Sequence, residues 1–493
     1  MAQAAALRVN AALPMLGAAW LLGACVAGPN YERPEIALRP QFMGAASSPS
    51  EVSAQAPVVE GSWWTSFDDP LLSDLIATAV AGNLDIAQAR ARLRQASAGV
   101  RSANASLAPT LGLDASAAHA RASLNGPSGA LASAPGFRRE NDLFDVGVGA
   151  SWEIDVFGGL RRGREAARAN AGAADAQLAG ARITIAAEAA RAYVNLRTLQ
   201  ERLRIAHDES DVQRHLVELT RARYEGGVST ELDLRQAEAL LQASDARIPG
   251  LETGVEAALN RLDVLQGFAP GETRARFLSV GSIPNAPAML ADVTPSDLLR
   301  RRPDIVAAER RLASSTARIG VAVADYYPHL TLGGLLGQQS FDASSLFDAA
   351  SASTGGLIGI HWRLFDFGRV DASVEAARGG ADEALAAFRS TVLVASEEVE
   401  NALVARVNLE RQLRNLDAAV VAATRSSAIA RNAYENGSAS FLAVLEAERA
   451  RLGAEDQRAV IHGDATIASI TLYRAMGGGW SAPARQPPTE VRS

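Results

Sequence analysis

Between residues 144 and 156 an apolar side chain falls on every second position: Phe144, Val146, Val148, Ala150, Trp152, Ile154 and Val156, separated by Asp145, Gly147, Gly149, Ser151, Glu153 and Asp155. Period-two alternation predicts a strand with one apolar and one polar face. Ile358, Ile360, Trp362 and Leu364, interleaved with Gly359, His361 and Arg363, repeat the pattern, and shorter alternations begin at Thr110 and His329. Strands are therefore expected at about 108–120, 143–156, 328–340 and 354–366. Elsewhere the period lengthens. No proline interrupts the Ala-, Arg-, Glu- and Leu-rich stretches from Leu160 to Tyr224 and from Arg369 to Tyr434, and each predicts a helix roughly 100 Å long at 1.5 Å per residue. Return helices are expected at about 228–266 and 439–476. Along the first, Leu234, Ala237, Leu241, Ser244, Ile248, Leu251, Val255, Ala258, Leu262 and Leu265 are spaced by threes and fours, the seam of a coiled coil. Pro249-Gly250 is predicted to kink or break it.

The pattern occurs twice because the chain is a tandem duplication. Asn83-Leu84-Asp85-Ile86 and Pro109 return as Arg302-Pro303-Asp304-Ile305 and Pro328, from 85 to 304 and from 109 to 328, a constant offset of 219. Trp152, Phe157-Gly158 and Tyr224-Glu225-x-Gly227 return as Trp362, Phe367-Gly368 and Tyr434-Glu435-x-Gly437 at an offset of 210. Each copy reads as helix, strand pair and long helical hairpin. Polar loops at 121–142 and 341–353 join the strands of each pair. Four strands are too few for a closed barrel, and strands in a bilayer tolerate no open edge, so several chains must pool theirs. Trp152 and Trp362, near strand ends, suit an interfacial aromatic girdle as well as they suit an ordinary sheet.

Composition narrows the class. With 48% hydrophobic but only 5% aromatic residues, the 493-residue chain favours closely packed helices over a bulky centre. A formal charge of -7 without a basic block argues against a nucleic-acid partner. Arg300-Arg301-Arg302-Pro303 reads as a solvated start to a helix. The histidines at 119, 207, 215, 329, 361 and 462 form no metal-ligand spacing, and no phosphate loop, dinucleotide fingerprint or nucleophile elbow is present, so neither enzymatic activity nor a cofactor or metal is expected. Arg8 and the apolar run Ala11–Leu22 suit a signal peptide. The run ends in Leu22-Gly23-Ala24-Cys25, which resembles the bacterial lipobox. Cys25 is the lone cysteine, so it is expected to carry diacylglycerol and an N-acyl chain, anchoring the mature protein in the outer membrane.

The resulting organisation is a signal peptide at 1–24, a lipidated segment at 25–70, a first repeat at 71–267, a linker at 268–302, a second repeat at 303–480 and a tail at 481–493. Trp63-Trp64 is expected to anchor the N-terminal segment on the helices. Two readings fit this plan. One is a membrane channel, and the other is a lipid-anchored periplasmic coiled-coil scaffold without a pore, which would not need amphipathic strands.

Several stretches resemble the TolC-like outer-membrane factor family, in particular its lipoprotein branch. They include Gly28-Pro29-Asn30-Tyr31-Glu32-Arg33-Pro34, Trp63-Trp64 with Phe67-x-Asp69-Pro70-Leu71, Ser296 to Ile305, Ala308-Glu309-Arg310-Arg311-Leu312, Leu364-Phe365-Asp366-Phe367-Gly368 and Gly477-Gly478-Gly479-Trp480. The resemblance implies a homotrimer whose strands form one twelve-stranded barrel in the outer membrane, continued by a periplasmic α-barrel. It also implies partners: a periplasmic adaptor and an inner-membrane pump of the proton-driven RND type. Gly227 and Gly437 mark the hairpin tips expected to meet the adaptor. Asp233 and Glu446, six and nine residues beyond them, match acidic gate positions, and Tyr434 matches a gate tyrosine. Rings of three such carboxylates would attract cations and raise some of their own pKa values. Ala443 and Ala439 replace an acidic and an arginine gate residue of the family, so a thinner gate network is expected. An acid early in a helix also simply suits the helix dipole.

Overall fold

A computed structural model describes residues 26–37, 39–43, 62–126, 129–130, 132–279, 281–285, 287, 301–478 and 480. The signal peptide, Cys25, Arg300 and the tail lie outside these residues. In chain order the elements are α1 (Pro70–Gly82), α2 (Leu84–Ala105), β1 (Thr110–Arg121), β2 (Glu140–Ile154), α3 (Gly159–Glu225), α4 (Glu231–Asp245), α5 (Ile248–Gln266), α6 (Pro303–Ala324), β3 (His329–Ser340), β4 (Ala352–His361), α7 (Arg369–Glu435) and α8 (Phe441–Ala475). α3 and α7 each run 67 residues without a break, as expected from uninterrupted helix formers. The first return helix divides into α4 and α5 beside Pro249, whereas α8, which has no proline, is continuous.

The chain forms two compact units. One comprises the described residues of Met1–Pro34, Arg94–Ala173 and Glu309–Ala387. It holds a four-stranded antiparallel sheet ordered β1-β2-β3-β4. Its registers run from Thr110↔Ser151 to Arg121↔Glu140, from Phe144↔Ser340 to Ile154↔Leu330, and from His329↔His361 to Gln338↔Ala352. These pairings gather Leu111, Leu113, Val146, Val148, Leu330, Leu332, Ile358 and Ile360 on one face. β4 ends at His361, short of the expected 366; just beyond it Trp362 donates its indole N–H to the Tyr326 carbonyl at 3.0 Å, as Trp152 within β2 donates to the Leu107 carbonyl. Among the described residues no strand neighbours the outer edge of β4 to extend the ladder.

The segment after Cys25 is seated in this same unit. Ala27 N–H donates to the Phe157 carbonyl (2.9 Å), and the buried Arg162 guanidinium donates to the Ala27 and Gly28 carbonyls and to Asn30 Oδ1. Gly28, at φ 80°, lies so close to Gly320 that a Cβ would stand 2.5 Å from the Gly320 Cα. Tyr31 donates to Glu309, and burial together with that carboxylate pushes its phenol up to about 12.

The second unit comprises Glu35–Leu93, Ala174–Ala308 and the described residues of Phe388–Ser493. Its main core joins Leu72, Leu75 and Ile76 of α1, Ile86 of α2, Tyr193 and Leu196 of α3, Leu259 and Leu262 of α5, and Ile470 of α8. Each such aliphatic side chain contributes about 2 kcal/mol on leaving water. Asp69 caps α1 through the Leu71 and Leu72 N–H groups and accepts from Tyr193 Oη at 2.8 Å. Trp63 stacks on Tyr473 and meets Trp64 edge to face, so the tryptophan pair is structural. Arg302 departs from expectation: it is buried rather than solvated, paired with Asp304 and Glu398 and donating to the Ala475 carbonyl. Two carboxylates and a carbonyl offset its desolvation.

Candidate functional site at the two hairpin tips

The tips of the two helical hairpins share one backbone. Gly227 and Gly437 both adopt φ 72°, the left-handed region that ends a helix without a Cβ penalty. Their N–H groups donate to the Tyr224 and Tyr434 carbonyls, and Val228 and Ser438 donate one residue further back, to the Arg223 and Ala433 carbonyls. Three residues on, Thr230 and Ser440 cap α4 and α8.

The side chains differ. At the first tip Asp233 completes a capping box: Thr230 Oγ1 accepts from Asp233 N–H, while Asp233 Oδ2 accepts from Thr230 N–H (3.1 Å), Thr230 Oγ1 (2.8 Å) and Ser229 Oγ (3.0 Å). Burial pushes this carboxyl up, but the bonds from Thr230 and Ser229 prevail and hold it below its usual value. At the second tip the matching residue is Ala443, so Ser440 accepts from Ala443 N–H at 3.4 Å with no reciprocal acid.

That tip is held from outside. Arg223, at the end of α3, donates to the Tyr434 carbonyl at 2.9 Å, and its guanidinium lies 4.6 Å over the Tyr434 ring. The ring also meets Phe441 edge to face at 5.7 Å and joins a small core of Leu216, Val217, Ala237 and Val444. Tyr434 is 5% exposed, whereas its repeat counterpart Tyr224 is 41% exposed.

One turn deeper, an ion pair recurs at the repeat offset. Arg221 meets Glu238 across the first hairpin at 3.0 Å, and Arg431 meets Glu448 across the second. Glu238 lies near the surface, but Glu448 is fully buried and also accepts from Ser427 Oγ and from Arg451 Nε at 3.0 Å. Burial pushes the Glu448 carboxyl up, and Ser427, Arg431 and Arg451 more than reverse this, leaving it below its usual value. Glu446 is exposed on α8 in an open groove lined by Ala422, Ala433, Ala439, Ala443 and Ala447.

Of the residues expected from sequence, Gly227, Gly437 and Tyr434 therefore sit in the turns themselves. Asp233 is engaged within its own turn, and Glu446 forms no ion pair among the described residues. Arg223, Phe441 and Glu448 were not anticipated. The recurrence of Arg and Glu at the repeat offset was a usable signal for Glu448, but Arg223 has Ala433 as its counterpart and left none. Among the described residues no cluster of His, Cys, Asp or Glu could hold a metal ion, and no single helix is long and apolar enough to cross a membrane.

Amphipathic strands and paired helical hairpins, both present twice in one chain, define the protomer of a membrane channel. The family model "Outer membrane efflux protein" matches residues 75–267 and 294–478, one segment in each half. The pyoverdine export outer membrane protein OpmQ of Pseudomonas putida is 34% identical over 459 residues, covering 90% of this chain and 94% of that protein. The outer membrane protein OprJ of Pseudomonas aeruginosa is 31% identical, covering 93% and 94% respectively. The solved structure of the outer-membrane channel OprN superposes with a TM-score of 0.84 at 34% identity, covering 92% of this chain and all of that one. The chain belongs to the outer membrane efflux protein family, and its place is the outer membrane.

Proposed function

We propose that the chain works as a homotrimer, lipid-anchored through Cys25, in which three four-stranded sheets close one barrel and the helical hairpins form a gated periplasmic tunnel. It acts as a non-enzymatic exit duct for drugs or other small molecules, receiving them from an RND-type inner-membrane pump through a periplasmic adaptor that meets the tips at Gly227 and Gly437. The sheet is the observation that carries this reading. Among the described residues each outer strand pairs on its inner side alone, and Ile358 and Ile360 of the apolar face are 72% exposed. An exposed apolar sheet with open edges suits a lipid-facing barrel wall completed by other copies, and a pore-free scaffold has no use for it.

Asp233, Glu446 and Tyr434 are assigned to the closed gate, with the two acids forming carboxylate rings about the three-fold axis. Planar-bilayer conductance of the purified protein tests this. The intact chain is expected to give a small cation-preferring conductance that rises in the Asp233→Ala/Glu446→Ala variant. An unchanged low conductance would move the gate elsewhere, and silence from a verified trimer in every gate variant would favour the scaffold.

A further inference from the structure

The apolar face of the sheet is not evenly filled. Trp152, Leu332 and Ile358 form one row across β2, β3 and β4, and Leu113, Val148 and Leu336 form another across β1, β2 and β3. The row between them is Leu111, Ala150, Gly334 and Gly356, so three of its four members have little or no side chain. The missing bulk leaves a trough of about 470 Å³, walled by Leu111, Val148 and Leu336 and floored by Ala150, Gly334 and Gly356. There is room in it. Among the described residues a Cβ on Gly356 would meet nothing within 4 Å, and one on Gly334 would meet only Ala150 Cβ, at 4.0 Å.

The segment that follows Cys25 is fixed at the foot of the same wall. Ala27 N–H is bonded to the Phe157 carbonyl, and a Cβ on Gly158 would stand 3.0 Å from Val26, just past the end of β2 at Ile154. Arg162, 4% exposed, locks this seat by donating to the Ala27 and Gly28 carbonyls and to Asn30 Oδ1. The seat occurs once per copy, because the repeat offsets turn Arg162 into Ala372 and Gly320, which packs on Gly28, into Arg101. Only Val26 separates Cys25 from this fixed point, so whatever Cys25 carries starts at the foot of β2. Ala150 is four residues up the strand from Ile154, about 14 Å at 3.4 Å per residue. With a strand tilt of about 40° that is about 10 Å of depth, and half of the hydrocarbon core is about 15 Å.

Resting on the lipid anchor proposed above, we infer that the trough binds a fatty acyl chain carried by Cys25 of the same copy. The chain leaves the foot of β2, passes Ile154 and Trp152 on the apolar face and ends between Ala150, Gly334 and Gly356. Filling the trough restores dispersion contacts that an empty wall forfeits. A free lipid gives up its lateral freedom on settling there, whereas the chain of Cys25 has already lost it to the seat, so preorganisation favours the attached chain. The anchor is then part of the wall and not a leash.

Site-directed photocrosslinking of the full chain in outer-membrane fractions reads the occupant. A benzophenone side chain is placed at Thr354, on the edge of the trough, or at Ala117, further along the same face. After irradiation and digestion, the acylated peptide beginning at Cys25 should be found joined to the Thr354 position about tenfold more often than to the Ala117 position. Gly356→Leu, which fills the floor, should cut the Thr354 product by about the same factor. Crosslinks to extractable phospholipid in place of the Cys25 peptide, or equal yields at the two positions, would overturn the trough as the acyl site and leave the anchor standing. A Cys25 peptide whose mass carries no acyl chain would overturn the anchor and the site together.

Discussion

The two hairpin tips share a turn and differ in what stabilises it. The first closes on itself: a capping box ties Thr230 to Asp233, and Tyr224 faces outward. The second lacks the acid of that box and borrows its support, with Arg223 of the first hairpin gripping Tyr434 by ring and carbonyl. One copy has a self-sufficient end, whereas the other depends on its sibling. Turn chemistry sets the backbone of each tip, and non-repeated contacts decide which tip is independent.

The largest contrast should come from the repeated ion pair. Glu448→Ala leaves Arg431 and Arg451 without their buried carboxylate and should destabilise the second hairpin by about 3 kcal/mol, whereas Glu238→Ala removes two surface pairs, with Arg221 and Arg235, and should leave the first nearly unchanged. Amide hydrogen exchange resolved by segment would show residues 427–451 accelerating in one variant and 217–241 barely moving in the other. Equal responses would mean that burial does not separate the two pairs.

Arg223→Ala comes next, because it removes a charge-assisted hydrogen bond and a cation–π contact worth about 2 kcal/mol together. Although the substitution is in the first hairpin, the loss should register in the second, as faster exchange around Tyr434. Faster exchange confined to residues near 223 would contradict the borrowed support.

The smallest effect concerns the caps. Asp233→Ala should cost the first tip about 1 kcal/mol, and Ala443→Asp should give the second tip part of that. The Asp233 carboxyl is held below its usual value in the folded chain, so its stabilisation is full above the ordinary carboxylate range and is lost as pH falls through that lowered value. Acidification below about pH 4 should therefore narrow the difference between parent and Asp233→Ala at the first tip. A difference that persists in acid would point away from the ionised carboxylate.

Much of this architecture is legible in the residue pattern. Alternation located all four strands, the missing prolines set the two 67-residue helices, and Pro249 marked the division of α4 from α5. Periodicity reports which face is buried but not what it meets, so it did not reveal Arg223 over Tyr434, the buried Glu448 or the burial of Arg302. The end of β4 was misjudged for a related reason. A strand's length depends on its neighbour in the ladder, and that neighbour belongs to another molecule in the proposed assembly.

Joining two copies of one unit in a single chain also changes the concentration dependence of assembly. In the proposed ring, where β4 of each copy closes on β1 of the next, half of the joints between repeats lie within a chain and form at an effective concentration fixed by that chain, however dilute the protein is in the membrane. Only the β4-to-β1 seams depend on molecules meeting. Dilution, low expression or a seam mutation should therefore deplete closed rings while each protomer keeps its internal joint, making the seam the step at which abundance controls how many channels a cell has.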